Sequence, residues 1–159
     1  MNMHRGIAAV PRLKLKLLEP SAQAEGFGRI REDHRAEIAE DYVELIADLI
    51  QARGEARAVD LAERLGVTNA TVANTVAKLQ RDGLVTSEPY RSIFLTDKGA
   101  ELARHCKRRH QIVVSLLEAV GVSAETAQRD AEGIEHHVSE ETLDAFARFV
   151  ERRAEPSSG

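Results

Sequence analysis

Val59-Asp60-Leu61-Ala62-Glu63-Arg64-Leu65-Gly66-Val67-Thr68-Asn69-Ala70-Thr71-Val72 reads as a short helix, a glycine stop and a second helix opening on a threonine. Glycine readily takes the left-handed conformation that ends a helix, and a threonine hydroxyl accepts a backbone N–H of the first turn that follows it. The second helix is expected to run through Leu79. Val72, Val76 and Leu79 then share one face and pack on Ala62 and Leu65, while Asn69, Ala70, Thr71, Asn74, Thr75 and Lys78 point outward. After Gly83 the period changes. Leu84-Val85-Thr86 and Ile93-Phe94-Leu95 flank the polar Pro89-Tyr90-Arg91-Ser92, which predicts two strands and a loop. Helix, tight turn, helix and hairpin follow one another in the order of a winged helix-turn-helix. The expected fold is therefore mainly α with a small β-hairpin wing.

Short polar side chains on an outward helix face suit base edges in a major groove. Asn69 and Asn74 can pair with adenine, Thr71 and Thr75 can meet several bases, and Lys78, Arg81 and the wing residue Arg91 suit phosphates. The competing reading is a helical hairpin used only for packing, which the wing disfavours. The net charge of −4 argues weakly against a nucleic-acid partner, but its distribution argues for one. Residues 61–110 carry 9 basic and 5 acidic groups, whereas residues 111–159 carry 4 and 10. Phosphate attraction depends on the local face, so a basic middle beside an acidic flank fits a DNA-facing segment joined to a cation-binding one.

Outward from this centre, Ile38, Tyr42, Leu45, Ile46 and Leu49 predict a helix from about Arg35 to Arg53, stopped by Gly54. Residues 1–22 show no sustained periodicity and are expected to form a mobile arm. On the other side Thr96 caps a long helix from Asp97 to about Val120, and Gly121 ends it. Ser123 caps a helix running towards His137, and Ser139 caps a last one with Leu143, Phe146, Ala147 and Val150 on its apolar face. Leu143, Phe146 and Val150 are candidates for a two-fold interface, with intrachain packing as the alternative. The expected division is an arm at 1–22, a winged helix-turn-helix at 23–96 and a helical domain at 97–155.

Two constellations could hold a cation. On the first helix Asp41 and Glu44 are neighbours within an acidic stripe that includes Glu37, Glu40 and Asp48, giving like-charge pairs four apart with no basic residue to offset them. A solvated acidic face is the simpler reading of that stripe taken alone. Further on, Glu132, Glu135 and His136 are spaced to project from one helix face, with His137 turned away. Two carboxylates and an imidazole without thiolate suit Mn²⁺ or Fe²⁺ better than tetrahedral zinc. His110 lies in line with Ala103, Cys106, Val113 and Leu117 and reads as a core histidine unless the fold brings carboxylates beside it.

Across these segments the chain resembles the diphtheria toxin repressor family, and within it the manganese-responsive branch. The resemblance rests on Asp41-Tyr42-Val43-Glu44, Leu65-Gly66-Val67, Thr71-Val72, Leu95-Thr96, Gly99 and Arg109-His110. Its most specific stretch is Asp130-Ala131-Glu132-Gly133-Ile134-Glu135-His136-His137-Val138-Ser139. It implies that the C-terminal helical unit is a metal-binding and dimerisation domain. It also implies that Asp41, Glu44, His110, Glu132, Glu135 and His136 ligate two closely spaced Mn²⁺ ions, and that the chain is a manganese-dependent repressor of manganese-uptake genes. Iron-responsive members place Cys where this chain has Glu132, so a hard carboxylate there favours Mn²⁺; Fe²⁺ and an iron-responsive regulator remain the alternative. Asn74 and Thr75 stand where relatives often carry Lys and a larger apolar residue, so the operator is expected to differ. The implied partners are palindromic double-stranded DNA and a second copy of the chain.

No stretch approaches the roughly 18 apolar residues that span a membrane, and the N-terminus lacks an apolar signal core, so a cytoplasmic protein is expected. The single cysteine, Cys106, can form neither an intrachain disulfide nor a thiolate zinc site. A dinuclear hydrolase could use the same ligands, but no nucleophile motif or phosphate loop accompanies them. No enzyme activity and no organic substrate are therefore expected. A winged-helix sensor of an organic ligand is the other rival; its DNA binding would not depend on metal.

Overall fold

The computed structural model describes residues 17–154. It is helical except for one small hairpin: α1 Pro20–Arg53, α2 Ala58–Leu65, α3 Asn69–Arg81, β1 Val85–Thr86, β2 Phe94–Leu95, α4 Asp97–Ala119, α5 Ala124–Ile134, a 3₁₀ turn Glu135–His137, and α6 Glu140–Ala154. The mainly α fold with a β wing is as the sequence leads one to expect. Punctuation residues set the boundaries. Gly54, Gly66 and Gly121 take positive φ after α1, α2 and α4. Thr68, Thr96 and Ser123 accept the N–H of Thr71, Gly99 and Thr126 respectively. Ser139 does the same for Thr142 at the start of α6. Each such cap is worth about 0.5–2 kcal/mol.

One core joins α1 to the recognition unit. Val43, Ile46 and Leu49 of α1 pack with Leu61, Val72, Leu79, Val85 and Ile93. Burying each of these side chains contributes about 1.5–3 kcal/mol, so α1 moves with the helix-turn-helix. In the hairpin Val85 pairs with Leu95 and Thr86 with Phe94, antiparallel. Ile93, expected in the second strand, instead bridges Ala56 and donates its N–H to the Ala56 carbonyl at 2.8 Å. The start of α4 lies hard against the wing: a Cβ on Gly99 would stand 1.9 Å from the Leu84 carbonyl oxygen, which excludes every other residue there. A second core, Val113, Val114, Ala127, Ala131 and Leu143, unites α4, α5 and α6.

Three expectations need correction. The first helix begins at Pro20 rather than near Arg35, so residues 20–22 of the expected arm are helical, while residues 1–16 lie outside those described. The added turns carry exposed Phe27 and Ile30 and contribute nothing to either core, which is why no burial periodicity marks them. Ile38, expected inside, is exposed and belongs to neither core. Finally, Leu143, one of the three interface candidates, is buried in the second core and serves intrachain packing, while Phe146 and Val150 are half-buried. The tail at Pro156–Gly159 also lies outside the described residues.

Candidate metal centre and nucleic-acid face

The site forms where α1 crosses α4 and the 3₁₀ turn. Helix α5 ends at Ile134, and the tighter turn that follows points Glu135 and His136 inward, leaving them 1% and 2% exposed at their side chains. This corrects the expectation that Glu132, Glu135 and His136 converge on one spot. Glu135 turns to α4 and His136 to α1. His136 Nε2 lies 3.0 Å from Asp41 Oδ1 and 3.5 Å from Glu135 Oε1. His110 Nδ1 lies 2.7 Å from Glu135 Oε2 and 3.7 Å from Glu132 Oε1. The fold thus brings carboxylates to His110, as its departure from an ordinary core histidine requires.

Among the described residues, two groups of three side chains hold ligand atoms within 4.8 Å of one another: Glu37, Asp41 and His136, and His110, Glu132 and Glu135. Five of the six side chains named by the resemblance fall in these groups; Glu44 does not, and Glu37 was not in that set. Glu44 is nevertheless tied to the centre. Burial, reinforced by the Glu135 and Glu132 charges, pushes its carboxyl from the usual 4.5 up to about 7. Burial likewise raises Glu135. For His136 burial opposes protonation, but hydrogen bonds to Asp41 and Glu40 outweigh it and raise the imidazole to about 10. His110 is raised too, against its own burial, by the Gln128 hydrogen bond and the Glu135 charge.

These residues fit a divalent cation. Glu135 Oε1 is buried without a hydrogen-bond partner, a costly state for a carboxylate that a nearby positive charge would relieve. The donor set is oxygen-rich with two imidazoles and no thiol, since Cys106 is buried and pushed up to about 12, chiefly by burial. Such a set suits a hard or borderline ion of high coordination number.

Three residues beside the centre, Glu40 of the acidic stripe, Gln128 and Arg109, were given no specific partner by the sequence. Glu40 Oε2 accepts from His136 Nδ1 at 2.6 Å. Gln128 Oε1 is 2.8 Å from His110 Nε2. Arg109, buried on α4, donates to Glu40 Oε1 at 3.3 Å and to the Glu135 carbonyl, so α1, α4 and the 3₁₀ turn already share one hydrogen-bond node. The only signal in the sequence was the lack of a basic partner for the α1 acids on their own helix. The partner sits 69 residues away, beyond the reach of any spacing rule. Of the other stripe acids, Glu37 meets His34 and His137, and Asp48 lies 3.8 Å from Lys107.

On α3 the inward face is as expected, with Val72, Val76 and Leu79 buried. Asn69, Thr71, Asn74, Lys78 and Arg81 are exposed, and Thr75 is half-buried. Thr71 shares its hydroxyl with Thr68 at 3.0 Å, which orients it along the helix start. In the wing Arg91 is exposed and pairs with Glu88 at 3.1 Å, so it would have to exchange that partner for a phosphate. No described helix is long and apolar enough to cross a membrane.

An exposed recognition helix and wing, rigidly joined to an acid–histidine centre, define a metal-dependent DNA-binding transcriptional regulator. Two family models match: the iron dependent repressor N-terminal DNA binding domain over residues 36–93, and the iron dependent repressor metal binding and dimerisation domain over 96–157. The chain belongs to this iron-dependent repressor family, that of the diphtheria toxin repressor, on its manganese-regulator branch. It is 53% identical over 137 residues to the transcriptional regulator MntR of Escherichia coli O157:H7, covering 86% of this chain and 88% of that one. It is 40% identical over 112 residues to the HTH-type transcriptional regulator MntR of Geobacillus kaustophilus strain HTA426, covering 70% and 79%. Among solved structures, a manganese-dependent transcriptional repressor in complex with manganese superposes with a TM-score of 0.65 at 28% identity, over 71% of this chain. The manganese regulator SloR does so at 0.62 and 28%, also over 71%. The chain spans about half the length of these two solved regulators, 52% and 53% respectively. The relatives are named as regulators, which is not an enzyme class.

Proposed function

We propose that this chain is a cytoplasmic, homodimeric repressor that binds a palindromic operator when Mn²⁺ occupies the centre between α1, α4 and the 3₁₀ turn. The observation that carries it is the split of acid–histidine groups across that junction, with Asp41 on the helix that shares a core with the recognition unit and His136 on the C-terminal side. Asp41, Glu44, His110, Glu132, Glu135 and His136 are the ligands, and two ions per protomer match the two groups. When bound, the ions supply positive charge to a junction of carboxylates that otherwise repel one another. Asp41 and Glu44 hold α1, and with it the helix-turn-helix, to His136, Glu135, Glu132 and His110. Fixing that angle in both protomers sets two α3 helices to half-sites about one turn of DNA apart.

We read residues 23–96 as the DNA-binding unit and 97–155 as the metal-binding and dimerisation unit. Asn69, Thr71, Asn74 and Thr75 read bases, while Lys78, Arg81 and Arg91 hold phosphates. The carboxylate of Glu132 favours Mn²⁺ over Fe²⁺. The chain carries no enzyme activity.

The test is operator binding titrated with Mn²⁺ and Fe²⁺, on the natural chain and on Glu132→Cys. Operator affinity should rise with Mn²⁺, and the cysteine variant should move its response towards Fe²⁺ or Co²⁺. Binding indifferent to metal would sink the function, and an unchanged metal profile in the variant would sink the assignment of selectivity to Glu132.

A further inference from the structure

The two histidines of the centre turn opposite nitrogens to the carboxylates. His136 offers Nε2 to Asp41 and Glu135, and its Nδ1 is held by Glu40 at 2.6 Å. His110 offers Nδ1 to Glu135 and Glu132, and its Nε2 is held by Gln128 at 2.8 Å. An imidazole presents a lone pair at only one nitrogen when the other carries a proton, and a hydrogen-bond acceptor decides which. Acceptors of this kind are the usual companions of metal-bound histidine and fix both ring orientation and ligand basicity.

We propose that Glu40 and Gln128 are positioning residues that set the two histidines for metal, Glu40 holding His136 through Nδ1 and Gln128 holding His110 through Nε2. The inference rests on the reading of His110 and His136 as ligands. Neither partner is among the six side chains assigned to the ion, and each comes from a different helix than the histidine it serves. Glu40 is on α1 and His136 on the 3₁₀ turn; Gln128 is on α5 and His110 on α4. Glu40 is itself held by Arg109 from α4. That links the ring of His136 to the helix that carries His110, so the two halves of the centre are set by one connected network. The two partners differ in surroundings. Glu40 is 13% exposed at its side chain, and the His136 ring it meets is 2% exposed, so water competes poorly for that bond. Gln128 is exposed and a neutral acceptor, so its bond is the weaker of the two.

The experiment uses the full chain. Free Mn²⁺ is followed by electron paramagnetic resonance to obtain affinity, and ¹⁵N spectra of the histidine rings are recorded on the protein loaded with diamagnetic Cd²⁺. Glu40→Leu should weaken Mn²⁺ binding by about 10–100-fold and Gln128→Leu by about tenfold, the range found when an outer-shell partner is lost. Gln128→Glu, which keeps an acceptor, should restore binding. Because Glu40→Leu also strands Arg109, Glu40→Gln serves as a milder variant and should lose less than Glu40→Leu. In the Cd²⁺-loaded natural chain the ring protons should sit on His136 Nδ1 and His110 Nε2, a signature that a merely structural role would not produce. Protons on the opposite nitrogens, or Leu variants that bind Mn²⁺ as the natural chain does, would overturn the proposal while leaving the ligand assignment intact. A natural chain that takes up no Mn²⁺ at all would overturn both.

Discussion

The two acid–histidine groups differ in what they join. Glu37, Asp41 and His136 span from α1 to the 3₁₀ turn, whereas His110, Glu132 and Glu135 all belong to the C-terminal helices. They also differ in burial. His136 is 2% exposed at its side chain and meets carboxylates brought from another part of the chain, while His110 is 18% exposed and shares its group with Glu132 at 65%. A metal can shift an equilibrium only through its different affinity for the two arrangements. The first group by itself spans α1 and the C-terminal unit, so its occupancy converts most directly into recognition-helix spacing, whereas the second meets α1 only through Glu44. The second group therefore informs DNA less directly, through Glu44 and through Glu135, whose two oxygens face His110 and His136 in turn.

The largest expected effect tests this division. Asp41→Asn should reduce Mn²⁺-dependent operator affinity to the metal-free level, a loss of at least the ~100-fold seen when an outer-shell partner is removed. The variant should still take up metal at the second group. Glu132→Gln should do the reverse, weakening uptake by about tenfold yet retaining a response to DNA at high Mn²⁺. Uptake measured by electron paramagnetic resonance and operator retention by fluorescence anisotropy give the two readouts. Equal losses in both variants would mean that the groups act as one, and the distinction drawn between them would fail.

The recognition unit and the metal junction were unequally legible in the sequence, for a physical reason. Gly66, Thr68, Gly121, Ser123 and Ser139 act within one turn of their own positions, so caps and stops can be read locally and the helices appear where they mark them. The acid–histidine pairs depend on chain segments far apart, such as Glu40 and His136 separated by 96 residues, and no periodicity encodes such a meeting. Spacing drew Glu132, Glu135 and His136 onto one face by assuming an unbroken α-helix. The 3₁₀ turn after Ile134 divides them between two groups instead. The six side chains assigned to the ions came from resemblance rather than geometry. Glu40 stood only as one acid of the stripe and Arg109 only as part of the resemblance, and Gln128 was not singled out at all, because the part each plays depends wholly on neighbours in space.

A smaller effect should follow from protons. With His136 raised to about 10 and Glu44 to about 7, metal must displace protons from both near neutrality. Mn²⁺ affinity should therefore rise with pH between about 6 and 8, with proton release measurable by calorimetry in buffers of different ionisation enthalpy. For the metal-free chain the two groups act with the same sign in different pH windows. Glu44, raised above its unfolded value, contributes stability below about 4.5 that is lost as pH climbs through about 7. His136 contributes stability that is complete below about 6.5 and is lost progressively as pH rises towards about 10. Thermal unfolding of the metal-free protein should fall from mildly acid to neutral pH, and Glu44→Gln should flatten that fall.

The smallest effect separates two acids of α1 that geometry and resemblance rank differently. Proximity groups Glu37 with Asp41 and His136, whereas resemblance names Glu44. Glu37 is already served: its Oε2 lies 3.1 Å from His34 Nδ1 and 3.4 Å from His137 Nε2, and its side chain is 22% exposed. A carboxylate with partners and access to water gains little from an ion. Glu44 is pushed up by burial and by facing Glu135 and Glu132, so a cation would relieve it most. Glu37→Gln should change Mn²⁺ affinity by no more than about threefold, in the range of a surface ion pair worth up to ~1 kcal/mol. Glu44→Gln should cost at least about tenfold in the same measurement. If Glu37→Gln proves the more damaging, the ion sits further out along α1, and Glu37 displaces Glu44 from the ligand set.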